Sequence, residues 1–144
     1  MAVTARLYGP ALTSLAAGSI NFTGSTVKAM LCTSAYTPNQ DTHQFKSSVT
    51  GEVSGTGYTA GGVTLASKTV AYDTASNTLT LDAADLSWPS STITARYLVF
   101  YVSTGTDATS PLIAYVDFGA DVTTTNGTFT YTLPATGLVQ LTAA

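Results

Sequence analysis

Ile93-Thr-Ala-Arg-Tyr-Leu-Val-Phe-Tyr-Val102 decides how this chain folds. Read at the two-residue period of a strand, Ile93, Ala95, Tyr97, Val99 and Tyr101 fall on one face, and Leu98, Phe100 and Val102 fall on the other. Arg96 alone interrupts the second face. A strand with two apolar faces belongs in the middle of a structure, covered on both sides. A charge within it needs a carboxylate or carbonyl partner, or water at a rim. Asp117, on the next predicted strand, is the candidate: a register that sets position 96 opposite 117 makes the ion pair, and a one-residue slip removes it.

Outward from this strand the pattern stays β. Pro111 opens Leu112–Phe118, which should pair with Ile93–Val102 as a hairpin across the polar loop Thr104–Ser110. Asn126-Gly127 reads as a type I′ turn. After it, Thr128, Thr130 and Thr132 form a wet face, and Phe129, Tyr131 and Leu133 form a packed one. Upstream, Val70 and Tyr72 face Leu79 and Leu81 across the turn Asp73–Asn77, a second hairpin signal. Thr26–Thr33 reads as a central strand and Leu138–Thr142 as the last one. Gly9–Gly18 is the clearest helix, with Pro10 at the first helical position, Leu12, Leu15 and Ala16 on one face, and Gly18 as terminator. Between Tyr36 and Gly62, turn residues and five glycines predict a long surface excursion, with Asp41 capping a helical turn through Phe45 and Lys46.

About eight strands with regular turn signals predict an all-β fold. The expected architecture is one antiparallel β-sandwich or jelly-roll-like barrel spanning residues 1–144, with one short N-terminal helix. A chain of 144 residues is long enough to bury a core without metal or disulfide staples.

The composition bears on function. Charged residues are 9% of the chain against a usual share of about a quarter, and there is one histidine (His43), one cysteine (Cys32) and one glutamate (Glu52). General acid–base, nucleophilic and metal chemistry draw on these residue types, so no catalytic, cofactor-binding or metal-ligating residue is expected, and the chain does not read as an enzyme. Cys32 reads as a small buried hydrophobe, and His43 as a loop histidine beside Asp41 and Gln44. No Gly-x-Ser-x-Gly elbow occurs. Gly55–Gly62 lacks the Lys-Ser or Lys-Thr of a phosphate loop, and Asp82, Asp85, Asp107, Asp117 and Asp121 lack EF-hand spacing.

With a net charge of −3 and its five basic residues scattered, the chain shows no nucleic-acid footprint. Its longest apolar run, Tyr97–Val102, is too short to cross a bilayer, so no membrane partner is expected. The N-terminus is a poor signal peptide. Low charge on a strand-rich chain instead predicts assembly with other chains, including copies of itself. Tyr36, Tyr58 and Trp88, amphipathic rings beside turn residues, together with Arg96, are the candidate interface residues.

Three segments carry a family likeness: Tyr36-Thr-Pro-Asn-Gln-Asp-Thr-His43, Glu52-Val-Ser-Gly-Thr-Gly-Tyr-Thr-Ala-Gly-Gly62 and Ser87-Trp-Pro-Ser-Ser-Thr-Ile-Thr-Ala-Arg-Tyr97. With Leu7-Tyr-Gly-Pro10, Pro111–Gly119 and Asn126-Gly-Thr-Phe129, they make the chain resemble a family of small tailed-bacteriophage virion structural proteins over nearly its whole length. Asn21, Phe22 and Thr23 depart from that family's usual acidic residues. The resemblance implies a virion component without cofactor or catalytic motif. A capsid decoration or cement protein bound to the major capsid protein shell, or to other virion proteins, is the leading expectation. A collar or tail-fibre adsorption module is the alternative.

Overall fold

The computed structural model describes residues 3–143. Along the chain these form β1 (Thr4–Leu7), α1 (Gly9–Ala16), β2 (Val27–Cys32), β3 (Val63–Thr64), β4 (Thr69–Asp73), β5 (Thr78–Asp82), β6 (Leu86–Val102), β7 (Leu112–Tyr131) and β8 (Val139–Thr142). Two antiparallel sheets result, one in the order β1-β7-β6-β2-β3 and one in the order β4-β5-β8. Leu81 and Val139 of the smaller sheet share one hydrophobic core with Leu98, Phe100, Ile113 and Phe129 of the larger. The architecture is therefore the all-β, sandwich-like one that the alternation predicts, in a single compact domain.

β6 and β7 are its spine. Leu98–Val102 is buried on both faces, as two apolar faces require. The strand nevertheless begins at Leu86, and Trp88-Pro89 lies inside it instead of ending it. β7 likewise runs through Asn126-Gly127, so no hairpin turn forms there. The backbone chemistry of the pair serves a bulge instead: Trp88 pairs with Phe129 and Ser91 with Gly127, leaving Pro89 and Ser90 against Thr128 alone. Ser90 takes a positive φ of 50° in this bulge, and Asn126 one of 49° in the next, where Thr125 and Asn126 oppose Thr92.

α1 starts at Gly9, which makes Pro10 its second residue and not its first. Its end is a Schellman motif: Gly18, at φ 81°, donates to the Leu15 carbonyl and Ser19 to the Ser14 carbonyl. Its buried face is Ala11 and Ser14; of the face of Leu12, Leu15 and Ala16, only Leu15 is partly buried, and Leu12 is 48% exposed. Small residues let the short helix lie close to the sheet, and the larger Leu12 is turned outward.

The Tyr36–Gly62 segment differs most from expectation. It is irregular, with one 3₁₀ turn at Lys46–Ser48, but it is not a detached surface loop. Val53 donates to Leu31 and Thr33 to Gly51, and Thr92 donates to Thr56. The Tyr101 hydroxyl donates to the Gly61 carbonyl. The segment thus closes the β2 and β6 side of the sheet, which explains its length. Asp41 caps nothing. The Lys46–Ser48 turn has no side-chain cap, and the preceding turn is held by Asn39, its Oδ1 accepting the N–H groups of Asp41 and Thr42 at 3.1 Å each.

Candidate interaction surface

Two of the rings singled out by their place beside turns lie inside the molecule, in separate clusters: Tyr36 against His43 and Tyr97, and Trp88 against Tyr58 and Phe129. Tyr36 is 1% exposed and Trp88 2%. Packing draws them inward: the Tyr36 hydroxyl finds side-chain partners in Tyr8 and His43, and Trp88 is covered by the Tyr58 and Phe129 rings. As surface residues of the single chain, Tyr36 and Trp88 are corrected to core.

Tyr36 is the middle of a relay. Its hydroxyl lies 2.7 Å from that of buried Tyr8 and 2.9 Å from His43 Nδ1. The Asn39 N–H also donates to His43 Nδ1, at 3.3 Å. A nitrogen facing an N–H must accept, so the neutral ring carries its proton on Nε2, and the direction of the chain follows: Tyr8 donates to Tyr36 and Tyr36 to His43. Burial pushes the Tyr36 phenol up to about 12 and Tyr8 further still, with their mutual hydrogen bond raising Tyr8 and lowering Tyr36.

Tyr58, partly buried, accepts the Leu31 N–H at 3.1 Å and donates to Glu52 Oε1 at 2.8 Å. Glu52 also receives the Gly61 N–H, so the chain's one glutamate holds its own loop together. The ring of Trp88 stacks on Tyr58, centroids 6.5 Å apart, and meets Phe129 edge-on at 5.8 Å. Its indole N–H is buried without a partner.

Arg96 donates from Nε to Asp117 Oδ1 at 2.7 Å, and its guanidinium lies 5.5 Å from the Tyr97 ring centroid. The hydrogen bond from Arg96 is the main reason the Asp117 carboxyl sits below the usual range, helped by the Gly119 N–H. The pair is made within the chain, with both side chains about a quarter exposed, 26% and 29%.

Some other titratable groups also bond within the chain. Lys46 pairs with Asp107 at 2.8 Å, and Asp85 accepts the Leu133 N–H. Cys32 is fully buried, and desolvation pushes its thiol up to about 12. Among the described residues, no three His, Cys, Asp or Glu side chains group where they could hold a metal ion.

Two features do face solvent. One is a cleft of about 350 Å³ between the Glu52–Ser54 strip and the upper part of β6 and β7, lined by hydroxyls of Thr33, Thr92, Thr94, Thr123 and Thr125. The other is β4, exposed at all five positions, with Val70 47% and Tyr72 52% exposed. Among the described residues, its flank away from β5 carries no strand. The alternation of Val70 and Tyr72 marks the hairpin correctly but says nothing of which of its strands ends the sheet. That depends on β8 pairing with β5, a contact between distant segments.

No family model, no curated protein and no solved structure matches the chain. No helix among the described residues is long and apolar enough to cross a membrane.

Proposed function

We propose that this chain is a structural protein of a tailed-bacteriophage virion, a capsid decoration or cement protein that binds the major capsid protein shell as a symmetric oligomer. The phage setting is carried by the sequence resemblance. The binding role is carried by one observation: the chain ties Glu52, Arg96 and Asp117 into its own fold and turns outward a cleft lined mostly by threonines and an unpaired apolar strand edge. Such an exterior offers little to acid–base or nucleophilic chemistry and much to protein packing and strand addition.

Copy number in purified particles tests this reading. About one copy per capsid subunit, with density on the shell, is the expected result. A few copies per particle, confined to the collar or tail, overturns it in favour of the adsorption module. For that second reading the hydroxyl-lined cleft is the supporting feature, and binding of the isolated protein to host cells is its test.

A further inference from the structure

We infer that the free edge of β4 is the surface through which two copies of this chain pair, strand to strand, about a two-fold axis at Ala71.

The direction of the backbone groups comes first. In β5, the Leu81 carbonyl accepts the Leu138 N–H and the Asn77 carbonyl accepts the Ala143 N–H, each at 2.8 Å. The main-chain groups of Asn77, Leu79 and Leu81 therefore aim at β8, and those of Thr78, Thr80 and Asp82 aim at β4. Because Val70 lies opposite Leu81 and Tyr72 opposite Leu79, the N–H and C=O of Val70 and Tyr72 point out of the sheet at its open edge.

No proline, bulge or free lysine guards that edge, and its one charge, Asp73, sits at its end. β4 contains no proline, and its pairing with β5 has no bulge. Lys68, the nearest cation, is tied back to the Ser25 carbonyl. Sheet edges are ordinarily blunted by one of these devices, and a strand without them is a template for another strand.

The occupant is set by self-complementarity. In an antiparallel pairing of β4 with a second β4 centred on Ala71, Val70 meets Tyr72, Ala71 meets Ala71, and Thr69 meets Asp73. The outward N–H and C=O of Val70 then bond those of Tyr72 in the other copy, and the reverse. A β-branched residue falls opposite an aromatic one, a favourable cross-strand pair. The Thr69 hydroxyl faces the Asp73 carboxylate, whose bond from the Ala75 N–H lowers its pKa and keeps it ionised. Every pairing occurs twice, as an isologous interface requires. The three-stranded sheet becomes six-stranded, and the apolar face of Leu79, Leu81 and Val139 continues through Val70 and Tyr72 across both copies.

The proposal deepens the assembly reading above, on which it rests for its purpose. The experiment therefore reads oligomeric state and capsid binding separately. Sedimentation of the purified chain should give twice the monomer mass. Val70→Pro removes only an outward N–H and is tolerated on an edge strand, so it should give a folded monomer with unchanged circular dichroism. Ala71→Cys places a thiol on the axis at a non-hydrogen-bonded pair, where Cα atoms lie about 4.5 Å apart, and should yield a disulfide-linked dimer under mild oxidation. Buried Cys32 does not compete.

A wild-type monomer that resists this cross-link overturns the inference, as does a dimer that survives Val70→Pro. If that monomer loses capsid binding on Val70→Pro, the edge belongs to a capsid strand instead. A β4-paired dimer that fails to bind capsids leaves the inference standing and removes the decoration reading.

Discussion

Arg96 and Asp117 form an ion pair at 2.7 Å although the ladder sets Asp117 opposite Tyr97, not opposite Arg96. A strict register argument would deny the contact. It forms because the next pairing along the strands is Ala95 with Val122, so Phe118–Asp121 of β7 bulge against the single residue Arg96. Gly119 turns through a positive φ of 81° and donates its N–H to Asp117 Oδ1 at 2.7 Å. The carboxylate thus pins both sides of the irregularity, and the arginine is its counter-ion.

Asp117→Asn should therefore destabilise chiefly by weakening the bulge, lowering the melting temperature by a few degrees, with Arg96→Met doing less. The pH dependence has a definite sign. The Asp117 carboxyl is depressed in the folded state, so its contribution is complete above the unfolded value of about 4 and is lost as pH falls through the folded value. Thermal melts from neutral pH into acid should show wild type and Asp117→Asn converging. Parallel curves would mean that the carboxylate contributes no linkage.

The Tyr8–Tyr36 hydrogen bond supports a sharper test. Tyr36→Phe leaves the Tyr8 hydroxyl, on a residue with no exposed surface, without an acceptor, at a cost of about 1–3 kcal/mol. Replacing both by phenylalanine removes the orphan, so denaturant unfolding should find the double variant more stable than Tyr36→Phe alone. Both phenols are raised in the folded state. Their contribution is therefore full below the unfolded tyrosine value of about 10 and lost as pH rises through the folded values, about 12 for Tyr36. Alkaline unfolding should begin above about pH 10 in the wild type and be shallower in the double variant.

What the sequence reveals here follows burial contrast. Leu98–Val102 and Ile113–Val116 are apolar without interruption, and their pairing was readable. Asp121–Thr128 is almost wholly exposed on both faces, so no alternation marks it as strand, and β7 reads as two elements joined at Asn126-Gly127. That dipeptide supplies positive φ, which a turn and a bulge both need. Tyr36 and Trp88 were misplaced for a related reason: proximity to a turn is local, whereas burial depends on distant partners such as Tyr8 and Phe129. β1 has three exposed residues of four and gave no signal.

Gly62 and Gly18 share a left-handed backbone, φ 79° and 81°, but differ in surroundings. A Cβ at Gly62 would lie 1.8 Å from the Ala29 carbonyl oxygen, whereas one at Gly18 meets nothing within 4 Å. Gly18→Ala should cost about 1 kcal/mol, the conformational penalty alone. Gly62→Ala must also push β3 off β2, and should cost at least about 3–4 kcal/mol and leave little soluble protein. Equal stability of the two variants in urea would show that the approach to Ala29 relaxes freely.

Trp88 separates a core role from a contact role in one measurement. It is the chain's single tryptophan, so all indole fluorescence reports on it. Packed between Tyr58 and Phe129 with no hydrogen bond to its N–H, it should emit far to the blue and shift red on unfolding. Trp88→Ala should cost about 3–5 kcal/mol, as loss of a large core ring does. Trp88→Phe keeps much of the packing and deletes a buried donor whose lost hydrogen bonding costs about 1–3 kcal/mol, so it should change stability by no more than about 1 kcal/mol. With capsids added, the emission maximum of the wild type should stay where it is, and Trp88→Phe should bind as well as wild type. An emission shift on binding, or binding lost in Trp88→Phe with the fold intact, would return this ring to the contact surface.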